Sequence, residues 1–460
     1  MLSIDHVKEL NSLEHLFISA AKNDWKSDMP LVLLGEKGSG KTAAVQKYCM
    51  QHSHRLYFSF RNLTSDIAPK FFSEQYPEYF HTVCDGWKSF FDALSKHFIK
   101  KYHVLVFDDF DDRNDRDDFF KALSSYMGKT NTRNPFVILM VERKNSISIP
   151  CYFSSLHQYM PADIRRSYPE MTDEDRVRLY SITDGLTGLI SMYDEKLSFD
   201  ENLNRFIQPD SDFSRHGFDL LQKKFRNPES YSGIMIAISR GSQRLSDIAK
   251  FAGYSNKKCE TYLQALCNAE IIEKRKEQSE DRRSTTRYYF ISGYMALWSR
   301  FLLLYQGNPL IELVRSDQIH EFIDKVLVPD HYRKLCMQWF MSHKTEFSML
   351  GHGLTPEHYP NGNYGFDHIF TSGRKKIFVK IWTDLDRHYG ADDFKKYDKA
   401  SVRLNPFYDN IYCLFSIHRF SDSMWKLSKQ WDNVHLVEAR FMTRTKKNMI
   451  SDKSHISISD

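Results

Sequence analysis

The chain has 460 residues, 41% hydrophobic and 27% charged, which excludes a disordered or collagen-like polymer and allows about three domains with buried cores. Its 64 Lys and Arg face 59 Asp and Glu for a net charge of +5, a balance that permits nucleic-acid contact without requiring it. The seven cysteines form no CxxC pair, so neither a zinc ribbon nor a disulfide framework is indicated, and reduced buried thiols in a cytoplasmic protein are expected.

At the N-terminus Val7, Leu10, Leu13 and Phe17 fall at helical spacing, and Asp5 and Glu9 interrupt any signal-peptide core. Short apolar strands are predicted at Leu31–Leu34, Leu56–Phe60, Val104–Phe107 and Phe136–Val141. All are far shorter than the ~20 residues of a membrane helix, so no membrane partner is expected. Apolar strands alternating with helical segments predict an α/β fold with a parallel sheet covered on both faces, over residues 1–160.

Gly35-Glu36-Lys37-Gly38-Ser39-Gly40-Lys41-Thr42 fits G-x-x-x-x-G-K-[ST] between a strand and a helix running from Lys41 to Met50. Glycines let backbone N–H groups turn toward phosphates, and the helix N-terminus adds roughly half a positive charge. ATP and Mg²⁺ are the expected ligands. Lys41 reaches the β- and γ-phosphates, and the Thr42 hydroxyl ligates Mg²⁺. The strand Val104–Phe107 leads into Asp108 and Asp109. Asp108 is placed to hold the metal's water shell. Asp109 is the candidate base for the attacking water, one methylene shorter than the glutamate common in ATPases. The run Phe107-Asp108-Asp109-Phe110-Asp111-Asp112 also fits a solvated acidic turn.

A small helical unit follows over 161–220, opened by the capping pattern of Thr172 and Asp175. Over 221–305 the pattern is a winged helix-turn-helix. Ser246–Ala252 is a helix ended by Gly253, Lys257–Ala269 a second helix, and Ile271–Lys276 with Arg287–Phe290 a charged ribbon. The second helix offers Ser255, Asn256, Lys257 and Lys258, and the ribbon Lys274, Arg275 and Lys276, as candidate contacts to duplex DNA. Docking of a protein partner is the alternative for the same module, since Glu260, Glu273, Glu277, Glu280 and Asp281 dilute the positive face. Residues 306–445 read as a further α/β segment with strands at Ile377–Trp382 and Tyr412–Ser416, and 446–460 as a polar tail.

This order of parts resembles the prokaryotic archaeal-type ATPases of the STAND branch of AAA+ proteins. Its carriers are the phosphate loop, the strand ending in Asp108, Leu179–Thr187, the winged helix, and Tyr288–Phe301 with its Trp298-Ser299-Arg300-Phe301 segment. The resemblance implies a helical lid and a C-terminal domain of restriction-endonuclease (PD-(D/E)xK) type. The family's lid carries Gly-x-Pro where this chain has Gly185-Leu186-Thr187, and its sensor-like strand ends in a small polar pair where this one ends Val141-Glu142-Arg143. In the C-terminal domain Asp367 matches the first carboxylate of such nucleases and Lys380 the lysine. Phe378 stands where an acid is expected, and Arg333 where a helix glutamate is expected. One carboxylate cannot assemble a metal site, so an inactive nuclease-like scaffold is expected. The resulting expectation is a slow ATP hydrolase working as a nucleotide-dependent switch. Its alternative is a regulatory DNA- or protein-binding module whose nucleotide is structural and little turned over.

Overall fold

The computed structural model of the protein describes residues 29–35, 38–98, 103–111, 113–129, 135–142, 147–155, 159–278, 284–303, 316–347, 353–357, 365–405 and 409–442. The helix expected around Val7–Phe17, the tail 446–460, and Glu36, Lys37, Asp112 and Arg143 lie outside the described residues. The chain divides into two compact units. One comprises the residues up to Gln158 with Leu186–Ser191, the other Tyr159–Gly185 with the residues from Met192 onward.

In the first unit β1 (Leu31–Leu34), β2 (Arg55–Ser59), β3 (Val104–Asp108), β4 (Phe136–Val141) and β5 (Tyr152–Ser155) form one sheet in the order β2-β3-β4-β1-β5. Every pairing is parallel. The period-2 alternation of a strand sends neighbouring residues to opposite faces, which explains why these runs are continuously apolar. Leu31, Leu33, Val106, Ile138 and Met140 pack with Ala44, Val45 and Tyr48 of the helix Lys41–Cys49. Leu56, Phe58, Leu105, Phe107 and Leu139 join the opposite core with the helices Trp87–His97 and Arg116–Lys129. That second face absorbs much of the chain's aromatic content: Phe58 stacks on Phe107 with centroids 5.3 Å apart, and Trp87 meets Phe119 edge-on at 4.9 Å. Such pairs add about 0.5–1.5 kcal/mol each beyond the area they bury.

The second unit begins with helices. Among them Asp173–Thr183 is capped by Thr172, whose hydroxyl accepts the Asp175 amide at 3.1 Å. Leu245–Ala252 ends at Gly253, whose φ of 69° is the left-handed stop of a helix. Asn256–Asn268 follows, then the antiparallel ribbon of β6 (Ile272–Gln278) and β7 (Ser284–Phe290), with Arg275 opposite Arg287. A second sheet has the order β12-β11-β10-β9-β8, built from β8 (Thr355–Pro356), β9 (His368–Ser372), β10 (Lys375–Trp382), β11 (Asp409–Ser416) and β12 (Val434–Glu438). It is mixed: β10, β11 and β12 run parallel, while β9 is antiparallel to β10 and β8 to β9. Among the described residues no helix is long and apolar enough to cross a membrane.

Candidate functional site

The loop after β1 is anchored at its start, where the Gly35 amide donates to the Val141 carbonyl at 3.2 Å. Gly38 and Gly40 have φ of 88° and 84°, conformations costly for any residue with a Cβ. Gly40 is the N-cap of the helix Lys41–Cys49, with no side chain to close off its first amides. Ser39 is buried, and its Oγ has no hydrogen-bond partner among the described residues. Lys41 is buried, at 9% exposure for the whole residue, and its ammonium donates to the Gly35 carbonyl.

Asp108 ends β3 at 6% exposure. Thr42 Oγ1 donates to its Oδ2 at 3.0 Å, Tyr57 donates its hydroxyl to the same oxygen, and the Asp109 amide donates to Oδ1 at 2.8 Å. No cation lies within ion-pair distance of this carboxylate among the described residues. Burial pushes the Asp108 carboxyl above its ordinary range. The Tyr57 hydroxyl draws it back, the Asp109 charge pushes it up again, and Thr42 draws it back. Burial, followed by the Asp108 charge, raises Tyr57 in turn, so its hydroxyl stays a donor. The acidic run after β3 divides by role. Asp109 is half-buried with φ 55°, a left-handed backbone that aspartate tolerates better than most residues. Asp111 instead accepts the Glu142 amide at 2.8 Å and closes the end of β4.

Two participants escaped the sequence reading. Tyr57 reaches Asp108 because β2 lies beside β3, with Ser59 in register with Asp108; nothing local marks it. Gly188, in the short helix Thr187–Ile190, donates its amide to the Gly38 carbonyl at 2.7 Å, and a Cβ there would come within 2.9 Å of that oxygen. Beside it Thr187 is buried, with an Oγ1 that has no partner among the described residues. The only sequence signal was the place of the missing proline.

The helix-turn-helix candidates are partly engaged. Ser255 is the N-cap, its Oγ accepting the Lys258 amide at 3.3 Å, so that hydroxyl serves the helix. Asn256 and Lys257 are exposed, and Lys258 holds its ammonium 4.2 Å above the Tyr254 ring. Lys274 is exposed, whereas Arg275 donates through Nε to Glu273 at 3.0 Å and lies 4.6 Å over Tyr289. The Lys276 side chain lies outside the described residues.

In the second sheet Asp367 and Lys380 do meet, at 3.5 Å, and Arg333 approaches the same carboxylate at 3.4 Å from the helix Val328–Ser342. The Ile381 amide donates to Asp367 at 2.8 Å, and Lys380 to the Gly365 carbonyl at 2.6 Å. Phe378 is fully buried with Phe366 and Tyr412. No cluster of three or more His, Cys, Asp or Glu able to hold a metal occurs among the described residues.

No protein-family model matches the chain, and no curated protein matches its sequence. Solved structures similar to it include the Aeropyrum pernix ORC1 protein in complex with DNA, at 10% identity and TM-score 0.38, covering 68% of this chain and 95% of that one. The Thermotoga maritima RuvB Holliday junction branch migration motor matches at 15% identity and TM-score 0.32, over 59% of this chain and 90% of that one. A Pyrococcus horikoshii STAND protein with a tetratricopeptide repeat sensor matches at 14% and 0.28, over 69% of this chain and 49% of that one. At identities and scores this low, these likenesses carry no functional argument.

Proposed function

We propose that the protein is an ATP-binding P-loop ATPase of AAA+ type, acting as a nucleotide-dependent switch for a winged-helix module. The observation that carries this reading is the Thr42–Asp108 pair, 3.0 Å apart behind a loop with two left-handed glycines. Hydroxyl and carboxylate oxygens suit Mg²⁺, which takes one or two protein ligands with substrate phosphates and needs no cage of acids. The partnerless Ser39 hydroxyl and the buried Lys41 ammonium suit a polyphosphate in the same way. When bound, Mg²⁺–ATP supplies a phosphoanhydride whose hydrolysis is the reaction. With Mg²⁺–ATP bound, Lys41 would neutralise phosphate charge, Thr42 and Asp108 would hold the metal and its water shell, and Asp109 would serve as the base for the attacking water.

The shorter Asp109 side chain favours a second reading, in which nucleotide is held with little turnover, because a displacement near 1 Å can cost ~100-fold in rate. The helix-turn-helix geometry with its ribbon supports a DNA-contacting role for Asn256, Lys257, Lys258 and Lys274. The Arg333 and Lys380 charges against Asp367 support an inactive nuclease-like scaffold for the C-terminal sheet. Steady-state ATPase measurements with and without duplex DNA test the switch. Turnover should be slow, should respond to DNA, and should vanish in Asp109→Asn. Turnover undiminished in Asp109→Asn would remove the base assignment, and absent turnover with intact Mg²⁺–ATP binding selects the second reading.

A further inference from the structure

The second unit contains a cavity of about 480 Å³ that plays no part in the reading above. It lies among the end of the helix Glu229–Ser239, the β6–β7 ribbon and the start of the helix Val328–Ser342, and Arg240, Arg275, Arg300, Lys325 and Arg333 line it. Among the described lining residues Asp330 is the only carboxylate, and Lys334 already meets it at 2.9 Å. Three of the five cations have their own counter-charges: Arg275 has Glu273, Lys325 has Glu321 at 2.7 Å, and Arg333 has Asp367. Arg240 and Arg300 have none within ion-pair distance among the described residues.

We infer that this cavity is a second anion site, independent of the phosphate loop, that takes a small polyphosphorylated ligand. Two guanidiniums sharing a cavity repel unless an anion joins them, and burial followed by the Arg240 charge weakens Arg300's hold on its proton. Helix capping explains part of the arrangement, since Arg300 donates one N–H to the Ser239 carbonyl at 2.6 Å. Among the described residues that leaves most of the five Arg300 donors without a partner, and Arg240, at the C-cap of the helix and 5.7 Å from the Phe251 ring, is left without an acceptor for its guanidinium. The guanidiniums are also held in place: Arg300 lies 4.8 Å over the Phe322 ring and Arg275 4.6 Å over Tyr289. A planar fork already oriented loses little entropy on binding phosphate oxygens. The volume is that of a small-molecule site, and its concavity favours a compact polyanion over a nucleic-acid backbone.

The test is calorimetric titration of full-length Lys41→Ala protein, in which the phosphate loop is disabled, with inorganic pyrophosphate and with ATP. Both should bind, showing that the phosphates are what is recognised. Arg240→Ala, at an exposed position, should lower the affinity about tenfold, the size of one charge-assisted hydrogen-bond set. Arg240→Lys should restore part of that loss. Arg300→Lys keeps the charge but breaks the fork, and should also weaken binding while leaving the melting temperature close to that of the parent. Binding of ATP without pyrophosphate would overturn recognition through phosphate alone. No binding of either, or unchanged affinity in both arginine variants, would overturn the site. Binding of a duplex oligonucleotide lost in Arg240→Ala, without pyrophosphate binding, would make the cavity a backbone contact and equally overturn the proposal.

Discussion

Each five-stranded sheet carries a carboxylate drawn inward, Asp108 buried at the end of β3 and Asp367 half-buried just before β9, but their surroundings differ in kind. Among the described residues Asp108 is met by uncharged donors alone: the hydroxyls of Thr42 and Tyr57 and the amide of Asp109. Asp367 is met by two cations, Arg333 and Lys380. A buried acid held by neutral dipoles keeps its demand for a counter-ion, whereas one flanked by a guanidinium and an ammonium has its charge already balanced. The contrast separates a site suited to an incoming metal from one whose own side chains supply the positive charge.

The largest effect expected from this difference is on ligand-linked stability. Mg²⁺–ATP at ~100 Kd should stabilise the wild-type first unit by ~2.7 kcal/mol, read as a rise in melting temperature. Lys41→Ala should abolish the rise of the first unit and leave the apo protein folded, ATP held in the arginine-lined cavity stabilising the second unit alone; an equal rise of the first unit in the variant would remove the phosphate-loop assignment. At the second sheet the comparison is sharpened by Asp367→Asn, which strands two cations and weakens acceptance of the Ile381 amide. A loss of about 1–3 kcal/mol in denaturant unfolding is expected. Arg333→Ala, at a side chain 48% exposed, should cost less than ~1 kcal/mol. Equal costs for the two would mean that the Arg333 ion pair, and not the carboxylate's other contacts, dominates there.

Asp108→Asn should do the opposite of Asp367→Asn in the apo protein. Because burial raises the folded carboxyl above its ordinary value of 3.8, the native state binds that proton more tightly than the unfolded chain. Stability therefore falls as pH rises from 3.8 through the folded value. The asparagine variant escapes this loss and should melt higher than wild type at neutral pH. The advantage should shrink below pH 3.8, and Mg²⁺-dependent stabilisation should be lost. A lower apo melting temperature across the whole range would break the contrast between the two acids. The smallest effect belongs to the helix-turn-helix: Lys257→Ala with Lys258→Ala should flatten the slope of log K against log salt on duplex DNA by up to about two units. ATP binding should be unchanged. A wild-type protein without salt-dependent affinity at ~50 mM salt would make that helix a protein-docking surface.

What could be read from the chain alone was whatever is contiguous in it. β1, the glycine loop and the helix Lys41–Cys49 follow one another within about twenty residues, so residue order carries their geometry, and β3 delivers Asp108 by running into it. The helix Asn256–Asn268, expected from Lys257, and the paired strands β6 and β7 were legible for the same reason, whereas the cap formed by Ser255 was not. The strands that escaped, β5, β8, β9 and β12, are short or carry Ser, Thr, His and Pro among their apolar residues, and take their pairing from a neighbour far away in sequence. Tyr57 reached Asp108 through strand order, Gly188 reached Gly38 across 150 positions, and Arg240, Arg275, Arg300 and Arg333 gathered from four separate elements around one cavity. Hydrogen-bonding pattern and hydrophobic period are local properties written residue by residue. Which charges end up facing each other depends on how finished elements pack, and only the tertiary structure decided that.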